Sequence, residues 1–242
     1  MSYEERTYRN YVKAENLVKF EIIEKETDLL ILAESNLYEK ALEATIKYRT
    51  DIEKQIALNP QFATSFAPLR PSLKAPPIIK DMCSATRKVG VGPMAAVAGA
   101  VAEFVGRDLL PFTGEIIVEN GGDIFMKINQ TRTVGIFAGS SPFSEKVGLE
   151  IEPRARPFSV CCSSGTVGPS FSFGKADAVI IIASNASLAD AAATVVGNAV
   201  KEVSDIEQGL NVAKKIRGLD GVLIIKGDQM GALGKIKLVP LK

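Results

Sequence analysis

Apolar and polar positions alternate at Val18, Phe20 and Ile22, break at Thr27-Asp28, and resume as the apolar run Leu29 to Ala33. That pattern predicts a β-hairpin. From Leu37 to about Leu58 the period changes: Leu37, Ala41, Ala44, Ile46, Tyr48, Ile52 and Ile56 recur at helical spacing, with Ser35 or Asn36 as the cap and Asn59-Pro60 as the stop. Residues 68–80 hold four of the twelve prolines together with Arg70, Lys74 and Lys80, and read as an extended surface loop or a lid. Pro93 to Ala102 is a helix of small residues with proline in its first turn, expected to be buried and closely approached by other backbone.

Three short strands follow, Glu115 to Glu119, Ile124 to Ile128 and Thr133 to Ala138, the first two joined by Gly121-Gly122, and together they suggest an antiparallel meander. Phe158 to Cys162 and Ala176 to Ala183 are further strands. A helix begins near Leu188, a second spans Ile206 to Ile216, and strands at Val222 to Ile225 and Ile236 to Val239 close the chain. Strand runs with inserted helices, lacking regular βαβ spacing, predict an α+β or mixed α/β fold of largely antiparallel sheets rather than a Rossmann domain. At 242 residues a single compact domain, 1–242, is expected.

Composition narrows the function classes. A net charge of +1 leaves no electrostatic footprint for nucleic acid. The beginning of the chain lacks a signal-peptide pattern, and no apolar run is long enough to span a bilayer, so a cytoplasmic protein without a membrane partner is expected. Histidine is absent, which removes the commonest general base and zinc ligand. Chemistry must come from carboxylates, hydroxyls, thiols, Lys or Arg.

Three segments concentrate such groups. In Ser187-Leu188-Ala189-Asp190-Ala191-Ala192-Ala193-Thr194, Asp190 and Thr194 lie four apart on one helical face, where they could hold a hard cation such as magnesium; alternatively Ser187 and Asp190 form a capping box. Asn120-Gly121-Gly122-Asp123 reads either as a plain hairpin turn or as a turn whose glycines admit a ligand while Asp123 faces a ribose, ribityl chain or cation. Ser163-Ser164-Gly165-Thr166-Val167-Gly168 offers hydroxyls and N–H groups for a phosphate without being a P-loop, and Lys175 could neutralise the anion. Cys161 and Cys162 precede that turn, and strand alternation puts them on opposite faces. A thiol facing the turn is expected to have a lowered pKa, fit to carry sulfur. With Cys83, the three thiolates would leave one iron position of an iron–sulfur cluster open.

These segments, in this order, resemble the ApbE-like superfamily, whose best-known members transfer FMN from FAD to a protein threonine using magnesium. Val91-Gly92-Pro93-Met94-Ala95-Ala96-Val97-Ala98-Gly99-Ala100, the Asn120 to Asp123 turn, and Ser163 to Thr194 are more similar still to the UPF0280 family of methanogens and other anaerobes, over almost the whole chain. The resemblance implies the ApbE-like fold, with Asp190 and Thr194 as metal ligands; Gly121, Gly122, Asp123, Ser163, Ser164, Gly165, Thr166 and Lys175 are the candidate contacts for a flavin nucleotide. The transferases also carry a His-Ile-x-Asp-Pro element, whereas the corresponding stretch here, Phe171 to Ala178, has neither the histidine nor the Asp-Pro pair. The UPF0280 resemblance further implies a role in sulfide assimilation and homocysteine formation. The leading expectation is therefore an ApbE-like protein without flavin transferase activity, using Cys161, Cys162 and Cys83 for persulfide or iron–sulfur chemistry. Its partners would be small or protein-bound sulfur species and a partner protein of sulfur assimilation, with homo-oligomer formation. The alternatives are a magnesium-dependent flavin or nucleotide enzyme, and a noncatalytic partner protein.

Overall fold

The computed structural model describes residue 9 and residues 16–165 and 174–241. In chain order these form β1 (Val18–Glu24), β2 (Thr27–Ala33), α1 (Tyr38–Leu58), α2 (Gln61–Thr64), α3 (Pro77–Val89), α4 (Val97–Leu109), β3 (Ile116–Asn120), β4 (Asp123–Lys127), β5 (Arg132–Gly135), β6 (Val147–Ile151), β7 (Phe158–Ser163), β8 (Ala178–Ala183), α5 (Ala186–Asn198), α6 (Ile206–Lys214), β9 (Leu219–Lys226), β10 (Gln229–Gly234) and β11 (Leu238–Pro240). Among the described residues the strands make two sheets, in the orders β1-β2-β3-β4-β7-β8-β9-β10 and β11-β6-β5. Every neighbouring pair is antiparallel. The fold is α+β, as the element pattern predicts.

The larger sheet is covered on both faces. Leu29, Ile31, Val118 and Phe125 pack under α1, α3 and α4. Val179, Ile181 and Ile224 pack under α5 and α6. On the opposite face Leu30, Leu32, Ile117, Met126, Phe158 and Ile180 meet Ile136, Leu149 and Ile151 of the smaller sheet and its flanks. A strand buried on both faces has no polar side to alternate with, which is why Leu29 to Ala33 of β2 and the whole of β8 read as unbroken apolar runs. Each fully buried Ile or Leu contributes roughly 1.5–3 kcal/mol relative to exposure.

Several elements depart from the sequence reading. Residues 77–80 are not loop: α3 starts at Pro77, where a missing N–H costs nothing, buries Ile78, Ile79, Met82 and Cys83, and ends at Gly90 with φ 82°. The extended segment therefore stops at Pro76, and Lys80 sits exposed on a helix. The third strand of the expected meander, β5, leaves the large sheet and pairs with β6. Two strands, β6 and β10, have no clear signal in the pattern; β10 carries two glycines and a partly exposed face.

The small-residue segment behaves as its composition requires. After a 3-10 turn at Pro93–Ala96, α4 crosses α5 so closely that a Cβ on Gly99 would sit 2.6 Å from the Ala186 carbonyl oxygen. Among the described residues, no single helix is long and apolar enough to cross a membrane.

Candidate functional site

The site begins at the β3–β4 turn. Asn120 pairs with Asp123 across a two-residue connection, and Gly121 and Gly122 both have positive φ, 65° and 98°. Such a turn requires left-handed backbone at both positions, which glycine supplies without steric cost. A Cβ on Gly122 would have room, 3.8 Å from the Cys162 Cβ, so conformation rather than space selects glycine there. The Asn120 amide donates to the Ala98 carbonyl at 3.1 Å, tying the turn to α4.

Asp123, at the start of β4, is buried on the helix-covered side of the sheet and accepts the Cys162 N–H at 3.3 Å, beside the Cys161 thiol, which donates to the Ala186 carbonyl at 3.5 Å. Asp190 reaches the same place from α5. Its carboxylate accepts the Gly99 N–H at 2.9 Å and lies near enough to the Ala98 N–H to be drawn down by it. These are orphan donors of the first turn of α4, whose own cap residue, Ala96, has no side-chain acceptor. Asp190 thus caps a neighbouring helix.

Burial, then the nearby Asp190 charge, holds the Asp123 carboxyl well above the usual carboxylate range. Burial lifts Asp190 to about 7, against the pull of the Gly99 and Ala98 N–H groups. A buried and a half-buried carboxylate that oppose each other's ionisation form an arrangement that either a proton or a cation relieves.

The expected capping box does not form. Asn185 is the α5 cap, accepting the Leu188 N–H at 2.8 Å, while the Ser187 hydroxyl donates to Asp81 at 2.6 Å. The Asn185 amide also donates to Asp81, at 3.1 and 3.2 Å, and Glu103 accepts the Ala186 N–H at 2.5 Å. Burial pushes the Glu103 carboxyl up. Asp81 and Glu103 carried no motif in the sequence; Asn185 was legible, since Asn three residues before a helical Leu is a cap signal.

Thr194 lies one turn beyond Asp190 on α5, half-buried, and Gly197 continues the same face. A Cβ on Gly197 would be 3.9 Å from the Ser163 hydroxyl oxygen. One face of α5 therefore runs from the Asp123 turn to the end of β7. There Gly165 donates to the Ala176 carbonyl at 2.9 Å and Lys175 N–H to the Val200 carbonyl at 2.8 Å. Any Cβ on Gly165 would collide with the Gly174 carbonyl, and one on Gly174 with the Gly197 carbonyl, so the backbones close tightly onto the end of α5. Ser163 and Ser164 are half-buried, and Gly165 and Lys175 exposed, at this neck; Thr166 lies outside the described residues, as do Phe171 to Phe173 of the departing stretch.

The cysteines are not brought together. Cys161 is fully buried against α5, Cys162 faces the opposite core, and Cys83 packs beneath α3. Among the described residues no group of three His, Cys, Asp or Glu side chains could hold a metal, so a shared iron–sulfur cluster on these thiolates is not assembled. The expected lowering of a thiol pKa is reversed as well. Burial and Asp123 push Cys161 well up, burial and Asp123 push Cys162 to about 12, and burial raises Cys83.

A family model described as "AbpE bacteria" matches residues 9–230. A "UPF0280 protein" of Methanococcus aeolicus is 41% identical over 217 residues, covering 87% of this chain and 88% of the relative. One from Methanocaldococcus jannaschii is 40% identical over 224 residues, covering 90% and 91%. Among solved structures, the Pseudomonas stutzeri flavinyl transferase ApbE superposes with a TM-score of 0.58 at 10% identity, covering 90% of this chain and 93% of that one. The ApbE protein of Thermotoga maritima gives 0.53 at 13%, covering 89% and 96%. At these identities the two structures speak to the fold alone.

Proposed function

The chain belongs to the UPF0280 family, an ApbE-like family, and from that premise we propose that it binds a flavin nucleotide together with a divalent cation at the Asp123–Asp190 pair. The observation that carries this reading is the convergence of a buried carboxylate from β4, Asp123, and a half-buried one from α5, Asp190, on the glycine turn and the first turn of α4. The donor set fits magnesium: Asp123, Asp190 and the Thr194 hydroxyl are hard oxygens. Asp190 and Thr194 would hold the cation with Asp123 beside them. A bound magnesium ion supplies a positive centre that neutralises phosphate charge. Gly121 and Gly122 leave the turn bare of side chains for a ligand, and Ser163, Ser164 and Gly165 offer hydroxyl and backbone donors for phosphate.

The fold of the flavinyl transferase neighbour supports the choice of flavin. The stretch Phe171 to Ala178 lacks the histidine and the Asp-Pro pair expected of the transferases, so the reading is of binding without FMN transfer by that route. Sulfur chemistry gains no support from the geometry. Burial and the neighbouring Asp123 push the Cys161 and Cys162 thiols up, away from the thiolate that sulfur transfer would use.

The test is a flavin fluorescence titration with FAD and with FMN, in magnesium and in chelator. Saturable binding that weakens on chelation supports the proposal; no binding in magnesium contradicts it.

A further inference from the structure

From the hydrogen-bond chain that ends at the glycine turn, we infer that Arg9 is a positioning residue for Asp123, acting through Glu119 and Gly122. The proposal rests on the cation-site reading for its functional consequence. Arg9 is 4% exposed and lies on the face of the sheet opposite α4 and α5. Its guanidinium reaches three strands at once: Nε donates to Glu119 Oε2 at 2.6 Å, Nη1 to Asp28 Oδ1 at 2.6 Å and Nη2 to the Asp28 carbonyl at 2.8 Å, and Nη1 stands 3.9 Å from Glu21 Oε1 on β1. The planar fork can serve both carboxylates in one orientation, which a lysine ammonium cannot.

The second oxygen of Glu119 is used differently. Oε1 accepts the N–H of Gly122 at 2.7 Å, the residue immediately before Asp123. Two consecutive glycines leave a turn with more backbone freedom than any other pair; Asn120 ties the turn to α4, and Glu119 holds the N–H of its second glycine. Glu119 is itself buried, and the Arg9 guanidinium holds its Oε2 while Gly122 uses its Oε1. Removing Arg9 takes one charge-assisted hydrogen bond from the Glu119 side chain and loosens its hold on Gly122.

Two variants separate this role from a purely structural one. Arg9→Met removes the clamp. Glu119→Leu removes the acceptor while leaving Asp28 as an Arg9 partner, and stands in if Arg9→Met fails to fold. Amide hydrogen exchange at Gly122 in metal-free protein is expected to accelerate in each by about tenfold beyond any change at Leu30 and Ile31, the loss of one charge-assisted hydrogen bond. Glu119→Gln sets an amide NH2 against either the Arg9 Nε–H or the Gly122 N–H, so it should accelerate Gly122 exchange about as much as Arg9→Met. The magnesium concentration that half-maximally raises the melting temperature should rise by about tenfold in Arg9→Met and Glu119→Leu.

Uniform acceleration across the sheet, unchanged Gly122 exchange in both variants, or an unmoved magnesium midpoint would overturn the positioning role. So would tighter magnesium binding in Arg9→Met, since that is the effect of removing a positive charge alone. If the parent protein shows no magnesium-dependent stabilisation, the cation site fails, while Gly122 exchange still decides whether Arg9 holds the turn.

Discussion

Asp190 on α5 accepts the N–H of Gly99 at 2.9 Å and so closes the first turn of α4, a helix whose own cap position offers no acceptor. One carboxylate thereby does structural work for a neighbouring helix while standing against Asp123. The two roles can be separated by substitution. Asn keeps an oxygen for Gly99 and removes the charge, whereas Ala removes both. Loss of a capping oxygen costs about 1 kcal/mol. Asp190→Ala is therefore expected to lose about that much stability in urea unfolding, Asp190→Asn clearly less, and both to lose magnesium-dependent flavin binding.

In metal-free protein the raised carboxyls make stability depend on pH in a definite direction. Asp190 titrates near 7 when folded, against roughly 3.9 for a free Asp side chain. The stabilising contribution is complete below the unfolded value and is lost as pH rises through the folded one, because the native state must give up a proton that it binds more tightly. Melting temperature in chelator should fall, relative to Asp190→Asn, between about pH 4 and pH 7. A difference between the two proteins that stays flat over that range would contradict the raised value.

The cysteines should be unreactive while the chain is folded. Cys83 and Cys161 are buried, and all three thiols are pushed up. A disulfide reagent at neutral pH is expected to label them slowly in native protein and completely after denaturation. Rapid native labelling of Cys161 or Cys162 would return thiol chemistry to consideration.

Gly99→Ala sets two effects against each other. Alanine gains about 1 kcal/mol of helix propensity over glycine. The new methyl, however, meets the Ala186 carbonyl oxygen at 2.6 Å and the Asp190 Cβ at 3.0 Å, and neither is a flexible side-chain end. Overpacking of that kind typically costs 1–3 kcal/mol, so the variant is expected to be net destabilised, with a lower urea midpoint. A raised midpoint would show that α4 and α5 can separate without loss.

The legible parts of this fold are those set by local pattern. The β1–β2 hairpin and α1 follow from alternation and period, and Asn36, an expected cap, accepts the Tyr38 N–H at 2.9 Å even though Leu37 occupies the cap position itself. The proline-rich segment misled because Pro77 serves as a helix start, which composition does not distinguish from a loop. At the site, the shared face of Asp190 and Thr194 was readable from spacing. The direction of Asp190 was not: Asn185, as good a cap as Ser187, occupies the helix start, and the orphan N–H groups of α4 draw the carboxylate across an interface. The opposite faces of Cys161 and Cys162 follow from strand geometry, but their raised pKa values depend on burial and on Asp123, a neighbour known only from the folded chain.

The most direct test of the carboxylate pair as a cation site is a manganese titration followed by water-proton relaxation, manganese standing in for magnesium at an oxygen-donor site. The parent chain, Asp123→Asn and Asp190→Asn would be compared. The expected result is one saturable site in the parent that is lost or strongly weakened in both variants while their circular dichroism is unchanged. Absence of binding in the parent, or binding indifferent to both substitutions, would contradict the cation site.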